Sequence, residues 1–232
     1  MTAGAAVTAG AHATQPDVIA TGVPTAPPPG WGEGLWRLSG RSESAGWLLQ
    51  PAHVDDRDTW IAAQVAELRA AWGPRWRTED EPSVRALLSL GLDVRPADAA
   101  LAFQLWPVPS PLVAHAHAAF GAAPERPLGP EAGSLYEADG LGFGVQAVRR
   151  IREADLDLVG LDIAFVTGEA AVVASLEPTV PELFALLVGQ FHAFVQTLEF
   201  AAPDGKPLRA AAPVGFLDAS ADADWADTVP TR

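Results

Sequence analysis

The sharpest candidate for chemistry in this sequence is the pair of histidines in His115-Ala116-His117. Residues two apart on a β-strand lie on one face, so both imidazoles could reach a single metal ion or substrate. A metal site needs a third ligand, and the sequence offers no histidine or acidic residue at a diagnostic spacing. The competing interpretation is a strand whose alanines pack inward while His115 and His117 face solvent or a loop. We therefore expect no bound metal, and keep the two histidines as candidates for a small-ligand or metal-assisted enzyme.

Other signatures of catalysis are missing from the sequence. The chain has no cysteine, which excludes a disulfide scaffold, a thiolate zinc site and a cysteine nucleophile. No Gly-x-Ser-x-Gly segment marks a nucleophilic serine. The glycine-rich run 140–144 lacks the following helix and the Gly-Lys-Ser/Thr of a phosphate loop, so a β-turn explains it better. The sequence predicts a protein without a recognisable catalytic centre and without a cofactor.

The charge of the chain argues against a nucleic-acid partner. There are 15 Lys and Arg residues against 29 Asp and Glu residues, giving a net charge of −14 at pH 7. A phosphate backbone repels such a protein unless its positive charge is concentrated. The cluster of Arg149, Arg150 and Arg152 is too small for that purpose. Arg150 and Arg152 share one face of a predicted strand and could clamp the carboxylates of a protein partner, or could simply pair with acidic residues of the surface.

Nothing in the sequence indicates a targeting segment or a membrane span. Residues 1–30 contain no Lys or Arg, so the basic start of a secretory signal is missing. Two uncharged stretches, 99–124 and 183–198, are interrupted by prolines or polar side chains, and the second is shorter than the about 20 residues that a bilayer requires. We expect a cytoplasmic protein, with which the absence of cysteine is compatible.

Composition divides the chain into three parts. Residues 1–30 form an Ala/Thr/Pro-rich tract with little to bury, which predicts a disordered arm. Residues 31–217 form a single predicted domain, without an internal repeat or a convincing linker. Residues 218–232 form a flexible acidic tail.

Tryptophan is distributed in a way that indicates a binding surface. Six tryptophans fall within 31–76, and Trp31 and Trp36 directly follow the predicted arm. Tryptophan in excess of a core is typical of interface hot spots, although these residues could instead cover one side of a sheet. Trp225 stands alone in the acidic tail, beside residues that could steer it to a basic groove: Asp222, Asp224 and Asp227. The alternative for Trp225 is a cation–π contact with Arg150 and Arg152 of its own domain.

Hydrophobic periodicity predicts helices early in the domain. Ile61, Val65, Leu68 and Trp72 form one apolar stripe, which indicates a helix over 59–72 that Asp58 caps. A shorter helix is predicted at 82–90, with Gly91 as its stop. A long helix at 180–199 follows a predicted capping box of Thr179 and Glu182.

Between these helices the period changes to two, which indicates strands. The predicted strands are 100–106, 112–120, 134–138, 143–152, 157–167 and 170–176, with a tight turn at Gly168-Glu169 between the last two. Helices come first, an antiparallel meander follows, and a long helix returns across it. This segregation predicts an α+β fold with a sheet of about five to six strands.

Residues 157–200 carry a resemblance to a known group of proteins. The hairpin around Gly168-Glu169 leads through Leu176-Glu177-Pro178 into a helix that ends in Phe191-His192-Ala193-Phe194-Val195-Gln196-Thr197-Leu198. This segment resembles the end of small actinobacterial proteins with a PsbP-like α/β/α sandwich, among them the LpqN-type lipoproteins and soluble relatives. The similarity covers roughly residues 100–200 and is one of pattern. It implies an α/β/α sandwich that binds other proteins, and it transfers no site residues.

Taken together, the sequence predicts a non-enzymatic protein-binding or adaptor module that belongs to a larger bacterial assembly. The first alternative is an enzyme that uses the face carrying His115 and His117. The second is an immunity-type inhibitor whose acidity matches a basic toxin.

Overall fold

A computed structural model of the chain describes residues 18–22, 36–42, 44, 46–168 and 170–216. These residues form ten β-strands and three α-helices. None of these helices is both long and apolar enough to cross a bilayer.

The strands are β1 (Val18–Gly22), β2 (Trp36–Gly40), β3 (Trp47–Leu49), β4 (Leu101–Leu105), β5 (Ala114–Ala122), β6 (Ser134–Ala138), β7 (Gly142–Glu153), β8 (Leu156–Val166), β9 (Ala170–Thr179) and β10 (Glu199–Ala201). The helices are α1 (Arg57–Trp72), α2 (Glu81–Val94) and α3 (Pro181–Gln196).

The strands form two antiparallel sheets. The larger sheet has seven strands in the order β3-β4-β5-β9-β8-β7-β6, and the smaller has three in the order β1-β2-β10. The prediction of an α+β fold with an antiparallel sheet is therefore confirmed. The predicted number of strands was too low, because β3 spans only three residues and is too short to show a period.

Strands also precede the helices, so the predicted order with helices first is wrong. Trp36 and Leu38 alternate with exposed or half-exposed neighbours in β2, but a strand of five residues gives too weak a period to recognise. β1 pairs with β2 and lies within the tract 1–30, where composition alone predicted a disordered arm.

The first helix is capped two residues earlier than predicted. Its N-cap is Asp56, whose Oδ1 accepts a hydrogen bond from the backbone N–H of Thr59 at 3.0 Å. Asp58 instead lies inside the first turn, where a negative charge also interacts favourably with the helix dipole. The predicted stripe is confirmed, since its four apolar residues are the buried residues of α1.

The second helix does not stop at Gly91 but continues to Val94. Gly91 is a packing position. A Cβ atom there would lie 2.6 Å from Nε2 of Gln50 and 2.7 Å from Nε2 of Gln104. The buried side-chain amides of these two glutamines therefore occupy the space that a side chain at position 91 would need.

The third helix begins at Pro181 after Val180, so the predicted capping box of Thr179 and Glu182 is wrong. Thr179 belongs to β9, which pairs as far as this residue with Val159. The helix ends at Gln196, earlier than predicted, because the chain turns into β10 beside β2.

Helices cover both faces of the large sheet near its β3–β4 end. On one face, Leu101, Phe103 and Leu105 belong to the main core together with the buried residues of α3. On the other face, Leu48 and Trp106 form a smaller core with α1 and α2.

The opposite end of the sheet carries a two-stranded extension. β6 pairs with β7 only over residues 142–146, and β9 pairs with β8 only over 159–166. The pairing of β7 with β8 continues further, to the turn after Glu153, where Ala154 adopts a φ of 51°. We call residues 147–158 the β7–β8 hairpin.

Candidate functional site

His115 and His117 lie on the sheet face opposite the main core. Ala114, Ala116 and Ala118 alternate with them along β5 and are buried. The alanines therefore pack inward as predicted, whereas the two imidazoles share the opposite face but are half-buried and not freely exposed to solvent.

A row of paired polar side chains extends from His117 across four strands. Nδ1 of His117 lies 3.0 Å from Oε1 of Glu177 on β9. Oε2 of Glu177 lies 3.5 Å from a guanidinium nitrogen of Arg149 on β7, and Nε of Arg149 lies 2.8 Å from Oδ2 of Asp162 on β8. The hydroxyl of Ser175 donates to Oδ1 of Asp162 at 2.7 Å. The sheet register explains the row, because Ser175 lies opposite both His117 and Asp162.

The electrostatics of this row favour ionised carboxylates. The contact with His117 is the main cause that lowers the pKa of Glu177, and the charge of Arg149 lowers it further. Burial lowers the pKa of His115, and the nearby charge of Glu177 offsets part of this effect. Since Ser175 donates its hydrogen to Asp162, the serine hydroxyl is engaged with a carboxylate and not with a histidine base.

A cavity of about 240 Å³ lies between this face and the C-terminal end of α2. Gln50 and Arg95 line it from one side, and His115, His117 and Glu177 line it from the sheet. The guanidinium of Arg95 donates to the carbonyl oxygens of Gln50, Pro96 and Ala99, at 3.3, 3.0 and 2.7 Å. Arg95 thus fixes the chain that follows α2 as one wall of the cavity.

The part of the chain that the structure describes contains no group of three His, Asp or Glu side chains arranged to hold a metal ion. His115 and His117 share a face as predicted, and the carboxylate nearest to them, Glu177, is shared between His117 and Arg149. What the arrangement provides is a set of hydrogen-bonding groups around a cavity.

The arginines of the predicted strand separate into two roles. Arg149 is paired on the face of the polar row, whereas Arg150 is exposed and Arg152 contacts Asp157 only at 3.9 Å. The register places Arg150 and Arg152 on one face of the hairpin, as predicted.

Large apolar side chains are exposed on both faces of the same hairpin. Val148 is 54% exposed on the face of Arg150, and Ile151 and Leu156 are 42% and 57% exposed on the other face. Such residues on a two-stranded extension give it an apolar surface beside two solvent-exposed guanidinium groups.

Trp36 is not part of a binding surface, and this prediction is corrected. It is 5% exposed and stacks on Phe200 with ring centroids 5.6 Å apart. Trp31, Trp225, Asp222, Asp224 and Asp227 lie outside the described residues. In the described part, Trp72 is buried as its helix stripe predicted and packs against Trp76 and Trp106, so Trp76, another tryptophan of the 31–76 group, contributes to the smaller core as well.

Sequence reasoning missed Gln50, Arg95 and Glu177 as lining of a site. Glu177 stands two residues after Ser175, a spacing that places both on one strand face, but its meeting with His117 depends on the pairing of β5 with β9. Gly91 inside α2 was the available signal for the buried amides, because a glycine within a helix often marks close packing.

Comparisons of this chain with known protein families, with curated proteins and with solved structures found no match. The resemblance of residues 157–200 to PsbP-like proteins stays a prediction.

Proposed function

We propose that this chain is a non-enzymatic protein-binding module, and that it binds an extended acidic segment of a partner along the free edge of β7. The observation that carries this proposal is the edge formed by residues 147–153, which has no neighbouring strand among the described residues on the side away from β8.

A free strand edge offers a row of backbone N–H and C=O groups to another chain. Proteins usually protect such edges by keeping them short or by placing charges on them. Here seven residues are open, and the same stretch exposes Val148 and Ile151. Addition of a strand would satisfy the backbone groups, and the alternating side chains would select the sequence that binds.

The charge of the edge favours carboxylates in the partner. Arg150 and Arg152 point to one face, two residues apart, beside the apolar Val148. A guanidinium group binds a carboxylate through two parallel hydrogen bonds, which adds orientation to affinity. The matching segment is a strand that alternates acidic residues on this face with β-branched or aromatic residues.

A displayed library of random peptides tests this function. We expect the selected peptides to combine acidic and apolar residues in alternation, and to bind about tenfold more weakly to the R150E/R152E double variant. The matched control is Arg126→Glu, because Arg126 is also exposed but lies in the loop before β6. Selected peptides that bind wild type and double variant equally well, or that shift amide resonances outside 147–153, would contradict the proposal.

The enzyme alternative has less support. Its two histidines line a cavity, but the polar residues beside them bind one another: Ser175, Asp162, Glu177 and Arg149. Within this polar row, no nucleophile lies beside a free base.

The proposal also covers the assembly, the compartment and the fold of the module. We place the module in a larger bacterial assembly in the cytoplasm, with a PsbP-like α/β/α sandwich as its fold. Helices on both faces of the sheet and the pattern of residues 157–200 support the fold assignment, and the absence of cysteine is compatible with the compartment.

A further inference from the structure

The side chain of Gln50 is buried without a hydrogen-bond partner for its N–H groups. Gln50 is 3% exposed, lines the cavity at the end of α2, and its Nε2 makes no hydrogen bond with any described residue. A buried amide donor without an acceptor is costly, because its hydrogen bonds to water are lost and not replaced. Such a group marks a place where a bound molecule can supply the missing acceptor.

Other donors converge on the same cavity. Arg95 carries five N–H groups and uses three of them on backbone carbonyl oxygens, so two remain. Nε2 of His115 is also buried and without a hydrogen-bond partner among the described residues. Because burial lowers the pKa of His115, the ring is neutral at pH 7 and can donate one hydrogen bond.

The charged side chains around the cavity differ in their ion pairing. Glu177 contacts His117 and Arg149, and Arg149 also contacts Asp162. Arg95 forms no ion pair within 4.0 Å with any carboxylate of the described residues; burial lowers its pKa, and the more distant charge of Asp98 offsets part of this effect. Arg95 is therefore a guanidinium group without a carboxylate at contact distance, beside the unpartnered donors.

We propose that this cavity is a binding site for a small molecule that carries one carboxylate group. Arg95 supplies the counter-charge, and Gln50 and His115 supply hydrogen-bond donors to its oxygens. A volume of about 240 Å³ equals that of about eight water molecules at about 30 Å³ each, so the ligand has a similar number of non-hydrogen atoms. The site is separate from the hairpin edge and does not rest on the proposed protein-binding function.

Matched pairs of acids and amides test this assignment on the full chain. The probes are acetate, propionate and benzoate, each compared with its primary amide, and inorganic phosphate serves as a second anion. Calorimetry and ¹H–¹⁵N spectra of the side-chain amides report binding. We expect at least one carboxylate to bind saturably, about tenfold more tightly than its amide, and to shift the Gln50 side-chain resonances.

Variants locate the site. Gln50→Met keeps the length of the side chain but removes the donors, and Arg95→Lys keeps the charge but removes the planar fork. We expect each to weaken carboxylate binding about fivefold or more. The control Arg85→Gln, on the exposed side of α2, should leave carboxylate binding unchanged. If either variant fails to fold, the titration of the wild-type Gln50 resonances still decides the question.

Three results would overturn the proposal. Carboxylates and amides that bind equally would remove the role of charge, and tighter binding of phosphate would assign the cavity to another anion. Absence of saturable binding, with Gln50 resonances that do not respond, would identify a cavity that holds water only.

Discussion

The two ends of the seven-stranded sheet have opposite environments although both are built from similar strands. At one end, all five residues of β4 are buried, because α3 covers one face and α1 with α2 cover the other. At the other end, the hairpin residues of β7 are mostly exposed, including Val148 and Ile151. The difference shows that the neighbours of a strand, and not its own alternation, decide how deeply its side chains are buried.

The most informative residues at each end are therefore those whose polarity does not fit their burial. At the covered end, Gln104 is fully buried, and its Nε2 donates to the carbonyl oxygen of Leu87 at 2.7 Å. At the hairpin, the exceptional residues are apolar and exposed. Buried polar groups fix the packing of α2 at the first end, whereas exposed apolar groups leave surface for a partner at the second.

The largest effect is expected from Phe103→Ala at the covered end. Phe103 is 1% exposed and its ring centroid lies 5.5 Å from that of Trp47 and 5.1 Å from that of Phe194. Removing it should lower the free energy of unfolding by about 3–5 kcal/mol. Urea denaturation measures this change, and a loss below about 1 kcal/mol would mean that this end is not a packed core.

A second test replaces two helical glycines by alanine. In α2, Gly91→Ala should lower the free energy of unfolding by about 1–3 kcal/mol, because its Cβ would displace the buried amides of Gln50 and Gln104. In α3, a Cβ at Gly189 meets no described atom within 4 Å, so Gly189→Ala should raise stability by up to about 1 kcal/mol. Equal effects in both helices would show that the amides do not pack against α2.

Stability should also depend on pH, through His115 on β5 and through His192 on α3, whose ring centroid lies 5.3 Å from that of Tyr136 of β6. Burial lowers the folded-state pKa of His115 and of His192, so the unfolded chain binds more protons between each folded pKa and the ordinary value of about 6.5. Stability is then present above about pH 6.5 and is lost as the pH falls toward the folded pKa values. The free energy of unfolding, measured by urea denaturation, should decrease from about pH 7.5 to 5.5, by less than about 1.4 kcal/mol per pH unit for each histidine.

The variant His115→Asn isolates one contribution to this slope. It should flatten the decrease without removing it, because His192 still titrates on the other side of the sheet. A slope that His115→Asn leaves unchanged would mean that His115 is solvated in the folded protein.

The sequence predicted the elements with a strong local period and missed those that depend on long-range pairing. The stripe from Ile61 to Trp72 and the alternation around His115 were predicted correctly, because burial on one face leaves a period in the sequence. β3 was missed, since three residues are too few to show a period and its partner strand β4 is distant in sequence.

The candidate site was predicted only in part for the same reason. The two histidines were found because they are neighbours in sequence. Gln50, Arg95 and Glu177 come from separate elements, and only the fold of the chain brings them to one cavity. The role of Trp36 was misjudged because a buried indole and an exposed one look alike in a sequence.

The smallest effect, and the sharpest form of the comparison, is expected from one substitution made twice on β7. Val145 is 4% exposed and Val148 is 54% exposed, so Val→Thr at each position changes the same atoms of the same residue type. At Val145 the hydroxyl group enters a dry environment, and the free energy of unfolding should fall by about 1–3 kcal/mol. At Val148 water still reaches the hydroxyl, so the change should stay within about 0.5 kcal/mol. Because threonine keeps the β-branched shape, strand propensity is nearly constant in this pair. The Val148→Thr variant should nevertheless bind the selected acidic peptides more weakly, since it removes apolar contact area from the edge. A loss of stability at Val148 that matched the loss at Val145 would show that the hairpin packs against residues outside the described part of the chain, and its edge would then not be available to a partner.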